Sequence, residues 1–271
     1  MLECLVLAYA LALVIAPPAR DVLVRLGHVR PNYAGRVVPS SMGAPLVLCA
    51  AVACVTVAAP SGSGQPSSMP CLLLVTACTL AGVVDDVFGS GENRGLVGHA
   101  AALVRRGTLT TGILKAVAIV ISAALSVRAA APSLPLTTLL MDAAIVALAA
   151  NLSNLLDLRP GRAAKAYVAG AAALSLVTGL PAPALVPVAL AGAVLAGMKD
   201  DLREGSMLGD AGSNPLGAAL GYWVVLSTPL VARAVILVLL GLLHAYSERH
   251  SLTALIERNS VLRFLDGLGR R

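Results

Sequence analysis

The stretch Cys71-Leu-Leu-Leu-Val-Thr-Ala-Cys-Thr-Leu-Ala-Gly-Val-Val-Asp85-Asp86 decides the fold: an unbroken apolar run that ends on two aspartates. With its flanks it covers about 69–87, close to the roughly 20 residues that an apolar helix needs to cross the hydrocarbon core of a bilayer. Similar runs recur near 2–19, 42–59, 109–127, 134–155, 163–180, 182–199, 214–230 and 231–246. The chain is 58% hydrophobic and only 13% charged, with a mean hydropathy of +0.85. A soluble domain carries about 25% charged residues. The expected architecture is therefore all-α: a polytopic transmembrane helix bundle of about nine helices, with no room for a separate soluble domain. The very short connections around Leu180–Pro183 and Thr228–Arg233 imply antiparallel helix hairpins.

Charge sets the expected orientation. With the N-terminus outside, the loops at 17–41, 88–108, 156–165 and 199–213 and the tail after Tyr246 are cytoplasmic. They hold seventeen of the twenty Lys and Arg residues, Arg94, Arg105 and Arg106 among them. The reverse orientation violates the positive-inside rule. Pro60–Ser68, rich in Ser, Gly and Pro, reads as a flexible outer turn. Residues 1–246 form the expected membrane domain. Residues 247–271 form a cytoplasmic amphipathic tail, with Leu252, Leu255, Ile256, Leu262 and Leu265 on the bilayer surface and arginines at the headgroups. The net charge of +6 then reads as orientation and contact with anionic lipid or substrate, not nucleic acid. The N-terminal run lacks a basic n-region and reads as a mature first helix. The five cysteines lie in apolar runs without a CxxC and read as small core residues. Gly217 and Gly221 form a small-xxx-small pair, a weak sign of helix contact.

The acids converge. Asp85 and Asp86 close the third run at a helix C-terminus, where the helix dipole opposes them and something positive must compensate. Asn151, Asn154 and Asp157, at i, i+3 and i+6, share one side at the end of the fifth. Asp200 and Asp201 end the seventh. Asp210 lies in Gly209-Asp-Ala-Gly-Ser213-Asn214-Pro215, where Ser213 or Asn214 is expected to cap the eighth helix. Amides at such a helix start suit a phosphate. Magnesium is held by one or two carboxylates with phosphate oxygens and water, so metal-assisted phosphoryl transfer fits this convergence. Taken singly, Asp201 and Glu204 read as solvated loop charges. Lys115 reads either as a phosphate contact or as a side chain snorkelling to the interface. His28 and His99 read as loop residues, and His244 and His250 lack the partners of a metal site. Asp142, in the outer half of the fifth helix, has no evident partner.

These residues resemble the motifs of the polyprenyl-phosphate N-acetylhexosamine-1-phosphate transferases, the superfamily that includes the phospho-N-acetylmuramoyl-pentapeptide translocases. Arg36-Val-Val-Pro39-Ser-Ser-Met42-Gly43 is similar to its Pro-Thr-Met-Gly-Gly loop, and Gly82-Val-Val-Asp85-Asp86 to its Asp-Asp motif. Asn151-Leu-Ser-Asn154-Leu-Leu-Asp157 is similar to its Asn-x-x-Asn-x-x-Asp motif, and Gly209-Asp210-Ala-Gly212-Ser213 to its Gly-Asp-x-Gly-Ser motif. The resemblance implies magnesium-dependent transfer of a sugar-1-phosphate from a UDP-sugar to undecaprenyl phosphate, with release of UMP, at the cytoplasmic face of a bacterial plasma membrane. The donor would be of the UDP-GlcNAc or UDP-MurNAc-peptide type, and the product would serve cell-envelope polymers such as peptidoglycan. By carry-over Asp85, Asp86 and Asp210 are catalytic, and Asp210 ligates magnesium, with manganese as a substitute. Asn151, Asn154, Asp157, Lys115, Arg36 and Ser213 contact the substrates. A homodimer is compatible with the resemblance. The chain departs from it in lacking the His-rich loop and in carrying Met207 where many members carry Phe. The competing readings are a catalytically degenerate membrane scaffold or regulator and, more distantly, a transporter.

Overall fold

A computed structural model describes residues 1–58, 68–89 and 110–270. Most of the expected outer turn, His99, the basic residues Arg94, Arg105 and Arg106, and Arg271 lie outside the described residues. All nine apolar runs are helical. They form α1 (Leu2–Arg25), α2 (Gly43–Ala58), α3 (Ser68–Phe88), α4 (Thr111–Ala130), α5 (Leu136–Leu156), α6 (Arg162–Thr178), α7 (Leu185–Leu202), α8 (Asp210–Ser227) and α9 (Leu230–Ser247). Two short helices follow, α10 (Leu252–Arg258) and α11 (Ser260–Gly267). Six of these segments are long and apolar enough to cross a membrane: α1, α3, α4, α5, α7 with its leading turn, and α9. That count indicates a membrane protein. The helices α2 and α6, with 16 and 17 residues, are shorter, and α8 is less apolar.

Helix α8 is the inner helix, packed between α3 and α5 and touching α2, α6 and α7. Tyr222 and Trp223 on it are wholly buried. Small residues make these approaches. A Cβ on Gly217 would sit 2.1 Å from the Ala149 carbonyl oxygen, and one on Gly221 2.8 Å from Val146 Cα. The small-xxx-small pair thus lies at the α5–α8 contact, where backbones close together gain dispersion energy in a bilayer. Likewise α1 crosses α7 at Gly192, against the Leu5 carbonyl. The five cysteines are buried and unpaired, as small core residues should be, and Cys4 Sγ lies 3.5 Å from Cys54 Sγ.

Three boundaries differ from expectation. The first helix does not stop near residue 19 but continues beyond Pro17 and Pro18 to Arg25. A proline gives up its own amide bond, yet its φ suits a helix, both rings are exposed, and α1 stays packed on α7 beyond them through Arg20 and Asp200, 3.2 Å apart. The expected loop that follows contains an antiparallel hairpin, β1 (Val29–Pro31) with β2 (Val37–Pro39), so the fold is helical with one small ribbon. Finally, α8 starts at Asp210, three or four residues before the expected cap at Ser213 or Asn214. The side chains of Ser213 and Asn214 instead donate back to the carbonyls of Gly209 and Asp210, at 3.0 and 2.9 Å.

Candidate functional site

The reason α8 starts early is Asp86. Its carboxylate accepts the amides of Asp210 (3.1 Å) and Ala211 (3.2 Å), so a residue of α3 supplies the cap that Gly209, with no side chain, lacks. Such closeness needs glycine on both sides. A Cβ on Gly82 would lie 2.4 Å from the Asp210 carbonyl carbon, and one on Gly43 1.9 Å from Gly212 Cα. Gly209 itself has φ of 69°, a left-handed conformation that favours glycine. Ser41 Oγ also donates to Asp86, and His28 Nε2 lies 2.8 Å from that hydroxyl. With the serine proton directed at the carboxylate, the histidine nitrogen is the donor. The segment before α8 is held by β2: Met207 N donates to the Pro39 carbonyl, and Met42 N and Gly43 N donate to those of Met207 and Leu208. The Met42-Gly43, Gly82-to-Asp86 and Gly209-to-Gly212 segments therefore form one continuous joint.

Asp85 turns the other way. Thr111 donates to one of its oxygens, and Lys115 Nζ lies 2.6 Å from the other. Lys115 also bonds Asp210, so one ammonium ties α3, α4 and the start of α8. It does not snorkel outward; its side chain is 13% exposed. The charge required at the end of α3 is thus largely protein-derived. Lys115 answers Asp85, a helix start answers Asp86, and Arg30 of β1 donates to the carbonyls of Asp86 and Gly89.

Two pockets meet behind this knot. One, of about 510 Å³, has Lys115, Asn151, Asn154 and Asn214 among its polar groups and an apolar wall that includes Ile119, Val120 and Leu148. The other, the polar pocket of about 670 Å³, carries the charged side chains of Asp157, Arg159, Asp201, Glu204 and Asp210 beside Met207, although most of its surface, like that of the first, is apolar. Asn154 and Leu155 belong to both. Asn154 Oδ1 lies 3.2 Å from the Ser213 hydroxyl, whose one proton it shares with the nearer Gly209 carbonyl. Burial pushes the Asp157 carboxyl well above the usual carboxylate range, and the nearby charges of Asp201, Asp210 and Asp86 push the same way.

The structure therefore brings Asp85, Asp210, Lys115, Asn151, Asn154, Asp157 and Ser213 together. It leaves Arg36 out: that side chain is 70% exposed, pairs with Glu204 at 3.5 Å and lines neither pocket. Asp201 is not a solvated charge; it is buried and accepts Gly161 N at 3.0 Å. Glu204 holds Tyr33 and Asn32, at 2.8 and 3.1 Å, and the Tyr33 hydroxyl bond keeps its carboxyl below the ordinary range. Arg30, His28, Ser41 and Thr111 had no sequence signal beyond closeness to a motif. Arg159, whose guanidinium lies 4.5 Å from the Tyr33 ring centroid, is the cation that does line the polar pocket.

Among the described residues no group of three or more His, Cys, Asp or Glu is disposed to hold a metal on its own. The donor set does suit a hard cation that takes most of its ligands from a substrate. Asp210 and Asp85 flank a cation already, in the form of the Lys115 ammonium. Asp157 and Asp201 add two further carboxyl groups at the polar pocket. No family model and no curated protein matches the chain.

Proposed function

We propose that the protein is a phosphoglycosyl transferase: it moves a sugar-1-phosphate from a UDP-sugar to undecaprenyl phosphate and releases UMP. The observation that carries this reading is the meeting, at Asn154, of a pocket that holds Lys115 and a pocket that holds Asp210, two residues bonded to each other. A lipid phosphate needs an apolar path ending at a cation. A nucleotide sugar needs a polar chamber. In-line transfer needs the two phosphates side by side.

In this reading α1 to α9 span a bacterial plasma membrane with the N-terminus outside, as the basic loops favour. The site then faces the cytoplasm. The apolar-walled pocket takes the prenyl phosphate, with Lys115 and Asn151 at its head. Asn154 and Asp157 face the donor diphosphate, and Arg159 offsets its charge. An oxygen of the lipid phosphate bonds to the β-phosphorus, and the bond from that phosphorus to the α–β bridging oxygen breaks. UMP leaves with the electron pair. The lipid phosphate is largely ionised at neutral pH, so Asp85 serves mainly to aim Lys115 and hold the acceptor in line. A bound magnesium, on Asp210 together with donor oxygens, would neutralise charge building on the diphosphate.

The test is UMP release by protein in detergent with undecaprenyl phosphate, magnesium and a panel of UDP-sugars. The expected result is release with one donor, abolished by EDTA, by Asp210→Asn and by Asp85→Asn. The alternative is a scaffold in which Lys115, already bonded to both aspartates, is only a structural tie. Folded protein inactive with every donor decides for it.

A further inference from the structure

A separate cavity of about 220 Å³ lies between α1 and α7 and shares only Asp201 and Ser206 with the polar pocket. Its walls are apolar: Ala16 and Pro17 of α1 face Ala196 and Gly197 of α7, with Met42 and Leu46 beside them. Its head carries three cations, Arg20, Lys199 and Arg203, against two acids, Asp200 and the buried Asp201, whose Oδ2 accepts Gly161 N. Arg20 is paired with Asp200 at 3.2 Å. Lys199 and Arg203 are exposed and form no ion pair among the described residues. Both walls come from helices long and apolar enough to cross a membrane. Leu13, also on the rim, is half exposed.

An apolar slot on the flank of membrane-crossing helices, ending at two exposed cations without an ion pair among the described residues, matches one kind of occupant. A soluble anion would leave the slot unfilled, and a zwitterionic lipid would bring its own cation to the basic head. We propose that this slot binds an anionic phospholipid of the surrounding bilayer. Its phosphate sits between Lys199 and Arg203, and its acyl chain lies along Leu13, Ala16 and Gly197. The site is distinct from the acceptor pocket at Lys115 and stands whether or not the chain is a transferase.

The test is native mass spectrometry of the full chain released from mixed micelles holding equal phosphatidylglycerol and phosphatidylcholine. The wild-type chain should retain about tenfold more phosphatidylglycerol than phosphatidylcholine. The double variant Lys199→Ala, Arg203→Ala should lose that preference. Ala16→Trp, which fills the slot and leaves the charges in place, should lose bound lipid as well. Melting temperatures measured alongside identify any variant that fails to fold. Equal retention of the two lipids overturns the proposal. So does a preference that survives both variants, or displacement of the lipid by millimolar inorganic phosphate.

Discussion

Asp86 caps a helix to which it does not belong: its two carboxylate oxygens accept the amides of Asp210 and Ala211 at 3.1 and 3.2 Å. Its neighbour Asp85 points instead to Thr111 and Lys115. Two adjacent aspartates thus have two kinds of work, one holding α8 against α3 and one holding Lys115 and Thr111 of α4. In the proposed transferase Asp86, expected from the resemblance to be catalytic, would act through the start of α8.

This division predicts opposite phenotypes. Asp86→Ala strands two amides and the Ser41 hydroxyl at a buried joint, and each stranded donor costs about 1–3 kcal/mol. Asp85→Ala strands none that Asp210 and solvent do not serve. In thermal unfolding, Asp86→Ala should therefore lower the melting temperature by several degrees more than Asp85→Ala. Donor turnover should fall in both. Greater instability in the Asp85 variant would sink the division of roles.

Lys115 faces two carboxylates with little solvent: the Asp85 side chain is 15% exposed and that of Asp210 23%. Lys115→Met leaves two like charges side by side, and removing one member of a buried ion pair typically costs about 3–5 kcal/mol. Adding Asp85→Asn relieves the repulsion, so the double variant should be more stable than Lys115→Met alone. UMP release should stay at least about 100-fold down in both, because a preorganised cation has been lost. A double variant no more stable than the single would show that Lys115 does not neutralise these acids.

The helices were legible in the sequence because an apolar run near bilayer length needs no tertiary information. The convergence of Asp85, Asn154, Asp157 and Asp210 was legible for a related reason: once the runs are strung up and down, their ends fall on one of two faces. What was not legible depends on contacts between distant segments. The start of α8 is fixed by Asp86, 124 residues away in sequence. The hairpin at Val29–Pro39 lies among prolines and arginines with only three residues in each strand, too few for a period to show. Arg30, His28 and Ser41 acquire their partners only when that ribbon folds onto α3. Asp201 is spaced like a loop acid and is buried because Gly161, forty residues earlier, donates to it.

Asp142 had no partner in the sequence and has one in the fold. Its wholly buried carboxylate accepts Arg233 Nη1 at 2.6 Å and joins α5 to α9 away from the pockets. The pair is incompletely satisfied, with Asp142 Oδ1 and Arg233 Nε lacking partners. Replacing such a pair with apolar residues is often neutral or stabilising, whereas breaking it is costly. Asp142→Leu or Arg233→Leu alone should destabilise by about 3–5 kcal/mol, and the double variant should recover most of that. Turnover per folded molecule should not change. Additive losses in a double-mutant cycle would exclude coupling.

Asp266 predicts a pH dependence. It accepts Arg162 Nε and Nη2 at 2.8 and 2.9 Å and Arg270 Nη1 and Nη2 at 2.8 and 2.7 Å, while Arg270 Nε bonds the Pro160 carbonyl at 2.8 Å. The tail is thereby fastened to the segment that follows Asp157. Burial pushes the Asp266 carboxyl up, but the Arg162 and then the Arg270 hydrogen bonds outweigh it and hold the group well below the usual carboxylate range. An unfolded aspartate titrates near about 3.9. With the folded value lower, the stabilisation is fully present above about pH 4 and is lost as pH falls through the folded value. The stability gap between wild type and Asp266→Asn, followed by thermal unfolding, should be constant from neutral pH down to about pH 5 and should narrow below about pH 4. A gap that widens on acidification would mean that the carboxyl is raised in the folded chain, and the arginine clamp would not be what holds the tail.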